Sequence, residues 1–336
     1  MNKIVLGLSG GVDSAVCGAL LKKEGFEVCA LYLDIGTPGG ERLPRETAMS
    51  LGISFESLDI RREINELVIM PFCEAYVQGR TPNPCILCNP NVKFAALCKY
   101  ADAIGAEYIS TGHYARVSRE NGRALLLRAK SGNDQSYMLC GLKRDQLERL
   151  ILPLGECEKG EVRGIAREMG LEAAERPDSM EVCFVPDGDY AGFIENRGMK
   201  PPAGNFVNRD GELLGVHRGI HRYTVGQRRG LGIALGERMY VSEIRAEENE
   251  VVLSKGGGLY VTEFAATGAT WFTDERVEKF KCTVRVRHSR LETPAVAERG
   301  ADGVFVRTEI LVRAPAPGQS VAFYDGDILL GGAVIV

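Results

Sequence analysis

The chain opens on a short apolar run, KIVLGL, whose β-branched residues predict a buried strand. A polar, glycine-rich string, SGGVDS, interrupts it, and AVCGALLKKEG then reads as a helix ending at Gly25. EVCALYL predicts a second strand, RETAMSLGI a second helix and SFESLDI a third strand. NVKFAALCKYADAIGA is helical, and EYISTGHYA is a strand running into a loop. Strand and helix alternate, which implies an α/β, doubly wound parallel sheet. Such sheets bind ligands at the carboxyl ends of their strands. SGGVDS and TGHYAR both stand there.

The pattern stays helical through residues 142–170 (EKGEVRGIAREMG) and changes after Asp187. AGNFVNRDGELLGVHRG carries strand-like runs around an Asp210-Gly211 turn. From Lys279 on, KFKCTVRVRHSR, GVFVRTEI and QSVAFYDGDILLGGAVIV alternate polar and apolar positions between Gly, Pro and Asp, as in a small barrel. The expected organisation is a catalytic α/β domain over 1–192, a small β-rich central domain over 193–258 and a C-terminal β-barrel over 259–336.

Composition changes this picture little. The chain has 336 residues, 45% hydrophobic and 26% charged, ordinary for a globular protein. A net charge of −4 and a pI near 5.8 provide no global nucleic-acid signature, so any nucleic-acid contact must be local. KFKCTVRVR supplies a candidate: Lys279, Lys281, Thr283, Arg285 and Arg287 alternate with Phe280, Cys282, Val284 and Val286. Period-two alternation predicts a basic stripe on one face. HRYTVGQRRG adds Arg222, Arg228 and Arg229. No signal-like N-terminus and no run of about 18 apolar residues stands out, so a cytoplasmic protein with no membrane role is expected. Ten cysteines in that setting read as free, catalytic or metal-binding thiols. Cys17, Cys29, Cys98 and Cys140 lie in apolar patterns and read as core. Cys73, Cys157 and Cys282 suggest no role.

SGGVDS lacks the lysine of a Walker loop and the spacing of a dinucleotide fingerprint. Its glycines allow close approach to an anion, its serines offer hydroxyls, and a helix N-terminus follows. The string resembles the pyrophosphate-binding loop of the N-type ATP pyrophosphatases. With GRTPNPCILCNPNVKF, STGHYAR, DQSYML, PDSMEVCF, HRYTVGQRRGLGI and the tail VRVRHSR…APGQSVAFYDGDILLGG, the whole chain resembles the tRNA-specific 2-thiouridylases.

The resemblance implies roles. Gly7, Leu8, Ser9, Gly10, Gly11, Val12, Asp13 and Ser14 would hold ATP with Mg2+, lined by Leu33 and Gly112. Cys88 would be the nucleophile and Cys183 the carrier of a persulfide. Asn83, Pro84 and Cys85 would border the target base. Asn133, Asp134 and Gln135, then Arg287 and His288, would touch tRNA bearing Lys-, Glu- or Gln-type anticodons. A cysteine desulfurase or relay protein would donate the sulfur. His113 reads as an orienting group rather than a base. The chain departs from the family pattern at Cys85, where many members have Asp, at Asn133, where Lys is common, and in a short segment after Leu33. Cys85 opens three accounts of the thiols: a 4Fe-4S cluster on Cys85, Cys88 and Cys183, a persulfide pair with Cys85 as bystander, or zinc. Two other functions fit the loop alone: an ATP-pyrophosphatase ligase that adds an amine, and a paralogue that binds or modifies a different RNA.

Overall fold

The computed structural model describes residues 2–176, 181–273, 277–289, 291–301 and 303–336. Strands β1 (Lys3–Gly7), β2 (Glu27–Asp34), β3 (Ser54–Asp59) and β4 (Tyr108–Thr111) pair in parallel in the order β3-β2-β1-β4. Helices cover both faces, so the central strand is apolar on both sides. Ile4 and Leu6 pack toward the helices Val12–Lys23 and Lys159–Glu168, while Val5 packs toward the helix Phe94–Ile104. Sheet order reverses direction at β1, so the loops after β1 and β4 flank one crevice.

A hairpin, β5 (Ala115–Glu120) and β6 (Arg123–Arg128), leaves this sheet before β7 (Leu150–Ile151) extends it beside β4. The central sheet has β8 (Gly204–Val207), β9 (Leu213–His217), β10 (Tyr240–Arg245) and β11 (Glu250–Ser254) in the order β10-β11-β8-β9. The expected turn precedes β9: Gly211 has φ 84° and its N–H bonds the Asn208 carbonyl at 3.1 Å.

The C-terminal strands are β12 (Tyr260–Trp271), β13 (Lys279–Arg285), β14 (Thr293–Arg299), β15 (Val304–Arg313), β16 (Ser320–Asp325) and β17 (Ile328–Ile335). They form a six-stranded antiparallel barrel, closed by β12 on β17 around Val284, Ala297, Val306, Val321 and Phe323. Closure removes the exposed edges of a sheet. The β5–β6 hairpin then joins the outside of the same sheet, with Ile328 opposite Leu127. Alternation of apolar residues did not expose this hairpin as part of the C-terminal sheet, because its partner strand lies some two hundred residues away in sequence. Cys17 and Cys140 are buried as expected, whereas Cys29 and Cys98 are only half-buried. Among the described residues no helix is long and apolar enough to cross a membrane.

Candidate active site

The phosphate loop is built from backbone and hydroxyls. Leu8 and Val12 are core residues, so only their main chain can face a nucleotide. Gly10 adopts φ 83°, and a Cβ there would meet Pro44 at 3.0 Å; both features call for glycine. The Ser14 hydroxyl donates to the Gly11 carbonyl at 3.1 Å and accepts from the Ser9 N–H at 3.2 Å. Gly11, the N-cap of the helix Val12–Lys23, provides no side-chain cap, which leaves the first helical N–H groups for an anion. Leu33 ends β2 and Gly112 follows β4, on either side of β1. A Cβ on Gly112 would come within 2.7 Å of the Ser14 nitrogen, so only glycine lets the two loops meet.

Asp13 is already engaged. Lys159 Nζ contacts its two carboxylate oxygens at 2.7 and 2.8 Å, and the Tyr114 hydroxyl donates to it at 2.6 Å. Lys159 thus brings a cation to a loop that lacks a Walker lysine. In the sequence Lys159 lies in a plain helical pattern, and its spacing offers no signal of this contact. Within residues 8–14 the single carboxylate is therefore not open to a magnesium ion.

The cysteines sit on a short helix, Pro84–Cys88. Asn83 caps it, its side-chain oxygen accepting from Cys85 N–H at 3.2 Å and Ile86 N–H at 3.3 Å, and Pro84 takes the first position, where a missing N–H costs nothing. Asn83 and Pro84 therefore start the helix that carries Cys85 and Cys88. The lead-in is held by the barrel: Thr81 N–H bonds the Pro317 carbonyl at 2.7 Å and Gln319 donates to the Thr81 carbonyl at 3.0 Å. Cys85 and Cys183 are exposed and Cys88 half-buried. Part of the PDSMEVCF motif, residues 177–180, lies outside the described residues.

The three sulfurs lie within electrostatic reach of one another. Burial raises the Cys88 thiol, with repulsion from Cys85 adding to it. Burial, then Cys88, then Cys85 push Cys183 up to about 11. Although solvent reaches Cys85 and Cys183, enough protein surrounds both sulfurs for desolvation to be the first cause. Lys93 opposes the rise at all three. Burial and the same lysine hold His113 neutral, well below its usual range. His113 Nδ1 lies 2.7 Å from the Thr111 hydroxyl and the ring stacks on Phe94, the orienting place expected of it. Among the described residues no group of three or more His, Cys, Asp or Glu is spaced to hold a metal ion, so as arranged the thiols do not fit a cluster or zinc.

The expected RNA contacts divide into free and committed groups. Asn133, His288, Arg228 and Arg229 are exposed. Asp134 instead accepts from Ala129 N–H at 2.9 Å, the Ser136 hydroxyl at 2.9 Å and Arg285 at 2.5 Å. Gln135 accepts from Tyr114 N–H at 3.0 Å. The Arg287 guanidinium donates to the Arg313 and Ala314 carbonyls. The stripe is corrected: Lys279 and Lys281 are exposed, but Arg285 is only 7% exposed. The end of β13 is covered by the loop carrying Asp134, and Arg285 is neutralised between Asp134 and Glu292. Arg222 likewise pairs with Glu195.

Three family models match in succession. A tRNA methyl transferase HUP domain covers residues 2–187, a tRNA methyl transferase PRC-barrel domain 191–255, and an aminomethyltransferase beta-barrel domain 261–335. A tRNA-specific 2-thiouridylase MnmA of Syntrophotalea carbinolica is 41% identical over 99% of this chain and 98% of its own length. That of Carboxydothermus hydrogenoformans is 43% identical over 99% and 97%, and that of Clostridium acetobutylicum 39% over 99% and 99%. Matching from end to end in the order in which its three sheets fold, the chain belongs to the tRNA-specific 2-thiouridylase family.

Proposed function

We propose that the protein replaces O2 of the wobble uridine of tRNA with sulfur, using ATP. The observation that carries this reading is that Lys93 faces both the three thiols and His113, the residue after the Gly112 that packs on the glycine-rich loop. Uridine O2 attacks the α-phosphorus of ATP, pyrophosphate leaves, and the base carries AMP. The loop's N–H groups and Lys159 oppose charge on the departing pyrophosphate. Any magnesium would arrive on the nucleotide's own oxygens, since Asp13 is taken by Lys159 and Tyr114.

Cys183 carries the incoming sulfur as a persulfide. Its terminal sulfur attacks C2, AMP leaves, and a disulfide joins Cys183 to the base. The Cys88 thiolate then attacks the Cys183 sulfur. A Cys88–Cys183 disulfide forms, the bonding pair stays on the sulfur at C2, and an external dithiol later reduces the enzyme. A cysteine desulfurase or a relay protein supplies the persulfide, and tRNAs of the Lys, Glu and Gln anticodon type are the substrates. Cys85 shapes the base pocket.

The second reading is the 4Fe-4S cluster, favoured by the third thiol at position 85. It requires the cysteines to approach one another beyond their present spacing. Cys85→Ala separates the two. The persulfide reading expects a modest loss of thiolation and iron-free active enzyme; iron and activity lost together establish the cluster. Function itself is tested by nucleoside mass spectrometry of tRNA from cells lacking the protein. Unchanged 2-thiouridine derivatives would remove the proposal and leave the amine ligase or a different RNA.

A further inference from the structure

Three residues expected on RNA, Asp134, Gln135 and Arg285, bond within the protein, and where they lead is informative. Arg285 closes β13, two residues before the Arg287-His288 turn. Its guanidinium bonds Asp134 at 2.5 Å and Glu292 at 2.6 Å, and lies over the Tyr324 ring at 5.0 Å. The same ring's hydroxyl is 3.0 Å from the Ser136 hydroxyl, which bonds Asp134. The next residue after Asp134, Gln135, clamps Tyr114 from both sides: its side chain accepts from Tyr114 N–H at 3.0 Å and its N–H donates to the Tyr114 carbonyl at 2.7 Å. Tyr114 reaches Asp13 of the phosphate loop at 2.6 Å, and Gly112, two residues earlier, abuts the backbone of Asp13 and Ser14. Tyr114, Ser136, Arg285 and Tyr324 are all buried.

We propose that Arg285 and Tyr114 are positioning residues of the nucleotide site, through which tRNA seated on the barrel sets the geometry of the phosphate loop. The physical reason is confinement. A hydrogen-bonded chain whose Tyr114, Ser136, Arg285 and Tyr324 links are buried cannot shift at one end and leave the other in place without leaving buried polar groups unpaired, which costs about 1–3 kcal/mol each. The segment 112–114 touches the loop at two points, so a displacement of residues 134–135 is delivered both to its backbone and to the Asp13 carboxylate. ATP would thus be gripped productively when the acceptor is present, and coupling between two ligands must be reciprocal.

The inference rests on tRNA being the substrate, and the test separates the two. Binding of α,β-methylene-ATP to the full chain is measured by equilibrium dialysis with and without an unmodified tRNA-Glu transcript, and tRNA binding is measured directly. In the parent protein tRNA should tighten the analogue at least about fivefold, the lower end of ordinary coupling. Tyr114→Phe, which leaves the barrel untouched and removes one of the two contacts on the loop, should at least halve that factor while tRNA still binds. Arg285→Met should do the same and Arg285→Lys should restore part of it. A parent protein that binds both ligands independently, or a Tyr114→Phe variant with the full factor, overturns the inference. A chain that binds no tRNA at all overturns the functional reading instead. Should Arg285→Met fail to fold, Tyr114→Phe alone decides.

Discussion

The phosphate loop and the thiols, linked through Gly112, His113 and Lys93, are built on opposite plans. The loop is bonded to itself: Ser9, Gly11 and Ser14 exchange hydrogen bonds within six residues, and Gly112 packs so closely that no Cβ would fit. The thiols come from two separate segments, stand partly in solvent, and have no fixed metal-ligand geometry among the described residues. The difference suits the tasks proposed for them. Stabilising charge as it develops on a phosphate needs donors already in place. Passing sulfur from carrier to base to resolving thiol needs three sulfur positions to approach in turn, which a rigid triad would prevent.

The comparison can be broken most sharply at the thiols. Cys88→Ser and Cys183→Ser should each lower thiolation by at least about 10³, the scale for a lost nucleophile, while tRNA-dependent release of AMP or pyrophosphate and ATP binding persist. Thiolation surviving in either variant would place sulfur transfer elsewhere. The second test uses pH. The Cys88 and Cys183 thiols lie above their ordinary range, so they are largely protonated at pH 7 and the thiolate fraction grows as pH rises. Single-turnover sulfur transfer limited by Cys88 should climb about tenfold per pH unit from 7 to 8.5, with ATP affinity nearly flat. A rate that levels off by pH 7 would mean the thiol is activated in the complex.

At the loop, Gly112→Ala must open a contact of 2.7 Å to the Ser14 nitrogen. Backbone strain of about 1–3 kcal/mol should raise the KM for ATP roughly tenfold, with tRNA affinity unchanged; an unaltered KM would show the junction to be pliable. The smallest effect is expected from Asn83→Ala. Loss of the cap costs about 1 kcal/mol, which should slow sulfur transfer a few-fold and leave the KM for ATP alone. Equal changes in both would mean that the cysteine helix and the loop are one unit.

Legibility differs between the two regions for the same reason that their construction does. The loop string, its glycines and serines, and the strands on either side are local in sequence, so pattern showed the strands and resemblance the loop. The surroundings of His113 are partly local as well, since Thr111, which its ring meets, is two residues away. Arg285 misled because period-two alternation assigns a face to a residue without saying what covers that face. Asp134 and Gln135 are assigned to RNA by resemblance, yet the Asp134 carboxylate and the Gln135 side-chain oxygen are engaged within the protein.

By itself the sequence determined the strand–helix alternation, the phosphate loop, the two thiol segments and the barrel tail, since each depends on residue type over a short span. The tertiary structure alone decided that Lys159 meets Asp13 across 146 positions, that Lys93 faces three thiols, that the β5–β6 hairpin extends the barrel sheet, and that Arg285 is interior. Those outcomes are contacts between distant segments. They are selected by which buried charges find partners when the sheets close, and no local pattern records that choice.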